Sequence, residues 1–231
     1  MSTPATDAAA GHKHRIFVVD DHPLVRESLR NLLNQQIDLV VCGEAADAPS
    51  ALSAMIELKP QIAVVDLSLK TGSGLELIKD LKIHCPKVAV VVLSMHDENL
   101  YAERVLRAGA RGYVMKRETT KNILTALRRV LDGGVYVSEA FSSVMAERLA
   151  SGRPIKPGAT SMVEQLSDRE LEVFRALGQG TGTSQIATDL HLSLKTVQAY
   201  CARIKTKLGL SNVHELMREA VRFVERAAES D

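Results

Sequence analysis

The amino-acid sequence predicts two folded domains: an α/β domain on a doubly wound, five-stranded parallel sheet, then a smaller all-α domain of four helices. Three observations predict this. Between Lys13 and Asp132 five short apolar runs alternate with helical patterns, the order of parallel strands with helices on both faces. Ser151 to Thr160 holds two prolines and two glycines in ten residues, a linker composition. Capped helical patterns return from Ser167. At 231 residues the chain exceeds one typical domain of roughly 100–200 residues. The sequence predicts a disordered tail over 1–12, an α/β domain over 13–134, a linker with one short helix over 135–162, and the helical domain over 163–231.

The elements follow in order. Arg15-Ile-Phe-Val-Val-Asp20 is a compact β-rich run, and a helix begins near Pro23, burying Leu24, Leu29, Leu32 and Leu33. Val40-Val41-Cys42 is the second strand, with Ala51, Leu52, Met55 and Ile56 on the helix behind it. Ile62 to Asp66 is the third, followed by a helix carrying Leu75, Leu77, Ile78 and Leu81. Val88 to Leu93 is the fourth, followed by Leu100, Val105 and Leu106. Gly112 to Met115 is the fifth, and its helix, with Ile123, Leu124, Leu127, Val130 and Leu131, stops at Gly133-Gly134.

In such sheets ligands bind beyond the carboxyl ends of the strands, where strand order reverses. Polar residues gather there: Asp20 and Asp21 after the first strand, Asp66 after the third, Ser94 after the fourth, Lys116 after the fifth. Clustered carboxylates provide hard oxygen ligands for Mg²⁺. A carboxylate is also a nucleophile that can form an acyl phosphate. Lys116 supplies a point charge and Ser94 a hydrogen bond to a phosphoryl oxygen. Taken singly, each has a bland reading: Asp20 and Asp21 as helix caps before Pro23, Asp66 as a turn residue, Lys116 as a solvated lysine. Three carboxylates, a hydroxyl and an ammonium on one rim are not explained by solubility.

With these residues placed, the first domain resembles the receiver domain of two-component response regulators, a flavodoxin-like fold. The resemblance runs from Lys13 to Gly134. It implies phosphorylation of Asp66 by a sensor histidine kinase, with Asp66, Ser94 and Lys116 as the phosphotransfer residues. It implies Mg²⁺ held by Asp21, Asp66, the backbone carbonyl of Ser68 and, through water, Asp20. Tyr113 matches the family's switch aromatic, coupled to Ser94; its plain alternative is a half-buried strand tyrosine. Two departures stand out. Leu67-Ser-Leu-Lys-Thr-Gly72 lacks the family's proline, and Met95 is larger than the residue usual after Ser94, which bears on access and on phosphorylation kinetics.

Beyond a helical pattern at Glu139 to Leu149 and the linker, Ser167-Asp-Arg-Glu170 forms a capping box before Leu171, Val173, Phe174 and Leu177. Thr183 or Ser184 can cap a short helix through Ile186, Ala187 and Leu190. Ser193 caps another, with Val197, Ile204 and Leu208 on one face and Gly209 at its end. Ser211 opens the last. Two short helices around a tight turn at His191-Leu192 describe a helix-turn-helix. Basic and acidic residues nearly balance over this domain, yet between Asp189 and Glu215 there is no acid, while Lys195, Arg203, Lys205 and Lys207 are basic. That local field suits a phosphate backbone. Candidate DNA contacts are Thr183, Ser184, Lys195, Thr196, Gln198, Ala199, Tyr200, Ala202, Arg203 and Lys207. Gln198 can read an adenine edge, and Ala199 or Ala202 can pack on a thymine methyl. A solvated basic helix face is the bland alternative. The stretch from Leu166 to Gly209 resembles the LuxR-type helix-turn-helix, and the whole chain is similar to the NarL/FixJ class. Gln198 and Tyr200 replace the lysine and histidine common there, so the operator cannot be inferred from relatives.

Composition is that of a soluble globular protein, 45% hydrophobic and 25% charged with net charge +1. No apolar run approaches the roughly 20 residues of a membrane span, and no signal peptide is recognised. Cys42, Cys85 and Cys201 lack metal-ligand spacing and read as reduced thiols in a cytoplasm. The expected partners are a sensor histidine kinase, double-stranded DNA, a second copy of the chain on activation and RNA polymerase, with no membrane partner. Two rivals stand beside this non-enzymatic reading. One is a constitutive DNA-binding regulator with a non-switching receiver. The other is a Mg²⁺-dependent phosphotransferase or phosphatase with an aspartyl nucleophile, which usually has a second acid two positions on, where this chain has Ser68. A dinucleotide site at Gly72-Ser-Gly74 fails because Leu77 stands where the third glycine belongs.

Overall fold

The structure, a computed structural model, describes residues 13–69, 71–118, 120–150, 162–190 and 192–229. The tail over 1–12, the Pro/Gly-rich stretch and His191 of the turn lie outside them. The chain divides into two compact units, Met1–Val137 and Ser138–Asp231. No helix among the described residues is long and apolar enough to cross a membrane.

The first unit is a five-stranded, all-parallel sheet of β1 (His14–Val19), β2 (Leu39–Ala45), β3 (Ile62–Val65), β4 (Ala89–Ser94) and β5 (Gly112–Met115), ordered β2-β1-β3-β4-β5. The helices are α1 (Pro23–Asn34), α2 (Ala48–Leu58), α3 (Gly74–His84), α4 (Glu98–Ala108) and α5 (Thr120–Leu131). Every residue of β3 is buried, as are Ile16 to Val19 of β1, which is why both read as unbroken apolar runs. Ile16, Val18, Val64, Val91 and Val114 pack with Leu29 and Leu33 of α1 and Leu127 and Val130 of α5 into one core. Leu24, expected in that core, is 77% exposed. It precedes Leu29 by five residues, a step of roughly 140° around the helix, so it faces away from the Leu29/Leu33 stripe. Ile56 on α2 is likewise exposed, while Ala51 and Met55 are buried.

Chain punctuation follows local chemistry. Asp47 caps α2 by accepting from Ser50 N, and Asp97 caps α4 by accepting from Asn99 N. The cap of α1 is His22, without a side-chain bond, ahead of Pro23; neither Asp20 nor Asp21 caps it. The first unit continues past Gly134. Tyr136 bridges Gly112 alongside β5, and its carbonyl accepts from Tyr113 N at 2.9 Å. Those bonds, with Met115 N donating to Glu118 Oε1 at 3.3 Å, cover part of the edge that β5 would otherwise expose.

The second unit contains α6 (Glu139–Ala150), a 3₁₀ turn (Met162–Gln165), α7 (Asp168–Gly178), α8 (Thr183–Asp189), α9 (Leu194–Leu208) and α10 (Val213–Glu229). Ser167 and Glu170 complete the expected capping box, Ser193 caps α9 through Thr196 N, and Gly209 ends α9 at φ +66°. Two caps differ from expectation. Gly182, not Thr183 or Ser184, caps α8. Asn212 Oδ1 accepts from Glu215 N at the head of α10, while Ser211 N donates back to the Glu215 carboxylate at 2.7 Å. The core joins Leu171, Phe174 and Leu177 to Ile186, Val197, Ile204, Leu216 and Ala220. Gly178 permits α7 and α10 to cross closely, because a Cβ there would stand 2.2 Å from the Ala220 carbonyl oxygen.

Candidate functional site

Strand register assembles the acidic rim. Strand order reverses between β1 and β3, whose Val19 and Val65 are paired, and Asp66 N donates to Val19 O at 2.8 Å. Asp20 and Asp66 therefore leave adjacent strand ends side by side. On the other flank Ser94 pairs with Met115, and Lys116 N donates to Ser94 O at 2.8 Å. The rim expected from sequence is thus one place in space.

Asp20, Asp21 and Asp66 are buried, and a ligand atom from each, together with one from His22, lies within 4.8 Å of the others. The Lys116 ammonium bridges two of them, 2.7 Å from Asp20 Oδ2 and 2.6 Å from Asp66 Oδ2. Burial alone would deprotonate this lysine more readily, but the Asp66 and Asp20 carboxylates outweigh it and raise its pKa. Burial pushes the Asp66 carboxyl upward, with Lys116 opposing and Asp20 adding to the rise. Asp21 Oδ1 sits 2.6 Å from His22 Nδ1, off the hydrogen-bonding direction, and is left buried without a hydrogen bond. Three buried carboxylates share one ammonium and the exposed His22 imidazole, and Asp21 Oδ1 takes no hydrogen bond, so hard oxygens are concentrated in one pocket. Those donors fit a divalent cation.

Ser94 is fully buried, and its Oγ accepts from His96 N at 3.2 Å. Tyr113, also fully buried, donates from its hydroxyl to His96 O at 2.7 Å, and burial raises its pKa. Ser94, His96 and Tyr113 thus form one linked set. Ser68 lies at its mouth: its backbone N reaches Asp66 Oδ1 at 3.3 Å, and its exposed hydroxyl bonds His96 Nε2 at 2.9 Å. Met95 projects outward, 70% exposed. Sequence reasoning missed His22, His96 and Arg26. Arg26 clamps the corner by donating to Asp20 O at 2.6 Å. Proximity to the acidic pair was a signal for His22 alone. Gly74 lets α3 start against the site: a Cβ there would stand 2.0 Å from Asp66 O.

In the second unit α8 and α9 form the helix-turn-helix. Val197, Ile204 and Leu208 of α9 face inward, while Lys195, Gln198, Ala199, Ala202 and Arg203 are exposed. Tyr200 is half-buried, with the Arg203 guanidinium 5.7 Å from its ring centre. Thr196 bonds Ser193 through both its backbone N and its hydroxyl. Thr183 and Ser184 occupy the first turn of α8, half-buried and exposed respectively. Lys207 stands apart from its neighbours. Its Nζ lies 2.6 Å from the buried Glu170 carboxylate and 3.1 Å from Gln165 O, so it ties α9 to the head of α7.

Comparison with known proteins agrees with both halves. Residues 16–128 match the response regulator receiver domain, and residues 164–220 match the LuxR family of bacterial regulatory proteins. The oxygen regulatory protein NreC of Staphylococcus aureus is 35% identical over 210 residues, spanning 90% of this chain and 97% of NreC. RcsB of Salmonella enterica serovar Typhimurium, solved on promoter P1flhDC with the phosphomimetic BeF3⁻, is 27% identical with a TM-score of 0.62, over 90% of this chain and 98% of RcsB. A LuxR-family two-component response regulator from Aurantimonas sp. SI85-9A1 is 32% identical with a TM-score of 0.56, over 60% of this chain and 99% of that one. The chain therefore belongs to the two-component response regulators, with a receiver domain ahead of a LuxR-type DNA-binding domain that regulates transcription.

Proposed function

We propose that Asp66 accepts a phosphoryl group from a sensor histidine kinase, and that this modification controls sequence-specific DNA binding by α8 and α9 in the cytoplasm. The observation that supports this reading is the buried Asp20–Asp21–Asp66 cluster with Lys116 bridging Asp20 and Asp66. An Asp66 oxygen bonds to phosphorus as the phosphorus–nitrogen bond of the kinase phosphohistidine breaks. Asp20, Asp21 and Asp66, with the Ser68 carbonyl, would hold Mg²⁺, which when bound offsets charge on the phosphoryl oxygens. Lys116 moves from bridging two carboxylates to balancing the new anion. Ser94 Oγ accepts from His96 N, which leaves its own hydrogen to turn toward a phosphoryl oxygen. Drawing Ser94 Oγ toward the phosphoryl group stretches its bond from His96 N, which loosens the His96 backbone and with it the Tyr113 hydroxyl, carrying the change toward the α4–β5 face. On the DNA side, Lys195, Thr183 and Ser184 contact phosphates while Gln198, Ala199, Ala202 and Arg203 face the bases. Thr196 orients the helix start and Tyr200 steadies Arg203. A homodimer would meet two half-sites about one helical turn apart.

The test treats the chain with phosphoramidate and Mg²⁺, reading intact mass and gel shift on promoter DNA. Wild type is expected to gain one phosphoryl group and bind more tightly; Asp66→Asn is expected to do neither. An Asp66→Asn variant that responds in full overturns the phosphosite. Phosphorylation without any change in DNA affinity returns the chain to the constitutive reading. The site is read as an acceptor, not an enzyme, because the position two after Asp66 is Ser68, whose hydroxyl is engaged by His96. Sustained turnover of phosphate esters would reverse that.

A further inference from the structure

The first unit has a second concavity, at the opposite end of the sheet from the acidic rim. It is a cleft of about 510 Å³ under the amino ends of β1, β3, β4 and β5, walled by α3 and the end of α5. Ligands of doubly wound sheets bind at the carboxyl ends, so nothing about the phosphoacceptor chemistry calls for this cleft. Its lining is chemically one-sided. Lys82, Lys87, Arg111 and His14 contribute to it, and among the described residues no carboxylate does. One of the cations is held in place by a hydrogen bond, and a second has its stem laid along the rim. The Lys82 stem lies across Gly109, its Cδ 3.0 Å from where a Cβ there would be. The Arg111 guanidinium donates to Gly133 O at 3.1 Å, and its backbone is fixed on both sides by Val90 O and Tyr136 N. His14 Nδ1 is buried without a hydrogen-bond partner. Between Lys82, Lys87 and Arg111 the accessible apolar surface comes from Pro86, Val88, Ala89 and Leu131.

Like charges gathered around one concavity repel one another, and an anion relieves that repulsion. A cavity of roughly 300–1,000 Å³ with apolar walls and a few fixed polar groups is the usual form of a small-molecule site. We propose that this cleft binds a small organic anion, its phosphate or carboxylate held by Lys82, Lys87 and Arg111 and its apolar body seated on Pro86, Val88, Ala89 and Leu131. The site is independent of phosphorylation at Asp66.

The probe is phenyl phosphate, titrated without Mg²⁺ into ¹⁵N-labelled full-length protein and followed by amide shifts. Saturable shifts are expected at Gly109, Arg111 and Gly133, unchanged in an Asp66→Asn background and weakened at least tenfold by Lys82→Ala/Lys87→Ala. Both lysine side chains are exposed, so the double variant retains the core, and an unchanged melting temperature checks this. Inorganic phosphate is expected to bind at least fivefold more weakly; equal affinity would overturn the apolar half of the site. No saturable shift at those amides, shifts that survive the double variant, or shifts that vanish in Asp66→Asn would overturn the proposal.

Discussion

Replacing Lys207 with methionine tests whether this lysine, a candidate DNA contact by sequence alone, is instead held by Glu170 within the second unit. Glu170 is 3% exposed, and its carboxylate takes two bonds, from Ser167 N at 2.7 Å and Lys207 Nζ at 2.6 Å. Without the ammonium a buried carboxylate keeps only its capping bond. Losing a charge-assisted hydrogen bond costs about 1.5–3 kcal/mol, and breaking a fully buried pair costs about 3–5 kcal/mol. The Lys207 side chain is 37% exposed, so water makes up part of the loss and about 2 kcal/mol is expected. In a domain of this size that lowers the melting midpoint by roughly 8–16 °C. Calorimetry of the full chain reads the second domain's transition, and Glu170→Gln with the double variant closes a double-mutant cycle. DNA binding measured well below the transition should keep the wild-type salt slope, whereas loss of a phosphate contact would reduce it by about 1. A variant within about 0.5 kcal/mol of wild type, with a reduced salt slope, would refute the internal pairing and return Lys207 to the DNA. The pair also fixes a pH dependence. Burial alone would raise the Glu170 pKa, but the bonds from Lys207 and Ser167 outweigh it and hold the group below its ordinary 4.5. Its contribution is complete above pH 4.5 and fades as pH falls through the lower folded value. Glu170→Gln should remove that part of the acid sensitivity.

Three other substitutions carry separate expectations. Gly74→Ala would push a methyl to 2.0 Å from Asp66 O and 2.7 Å from Leu67 Cα; urea unfolding should show a loss of about 3 kcal/mol, and a wild-type midpoint would refute the close approach. Tyr113→Phe removes the hydroxyl bonded to His96 O at 2.7 Å; a cost of about 1 kcal/mol is expected, and no change would mean that bond is not formed. Arg128→Ala breaks a two-pronged pair with Asp38, 2.9 and 3.0 Å, on an exposed surface. It should cost no more than about 1 kcal/mol and vanish in high salt; a larger, salt-insensitive loss would contradict an exposed pair.

Much of the site was legible because parallel strands separated by helices align their carboxyl ends. Once Asp20, Asp66, Ser94 and Lys116 each fell just after an apolar run, a single rim followed from topology. Caps such as Ser167, Glu170 and Ser193 were legible for a related reason: they act within one turn of their own position. Leu24 was misplaced because an apolar residue near a helix start carries no record of which way that helix will roll on its sheet. His96 was invisible because its part depends on reaching both Ser68 and Tyr113, 28 and 17 residues away in the chain. The α8 cap is Gly182, ahead of both Thr183 and Ser184, and the α10 cap is Asn212, one residue after Ser211, since Gly182 and Asn212 compete locally with neighbours of similar propensity.

By itself, the sequence determined the order and type of the elements, the acidic rim and the helix-turn-helix, because each is written in periodicity, in capping residues or at strand ends. Only the tertiary structure decided that Lys116 bridges Asp20 and Asp66, that Lys207 turns inward to Glu170, and that four basic residues line a cleft under the sheet. Those pairings are set by distances between chain segments far apart in sequence, and no local pattern encodes such distances before the chain has folded.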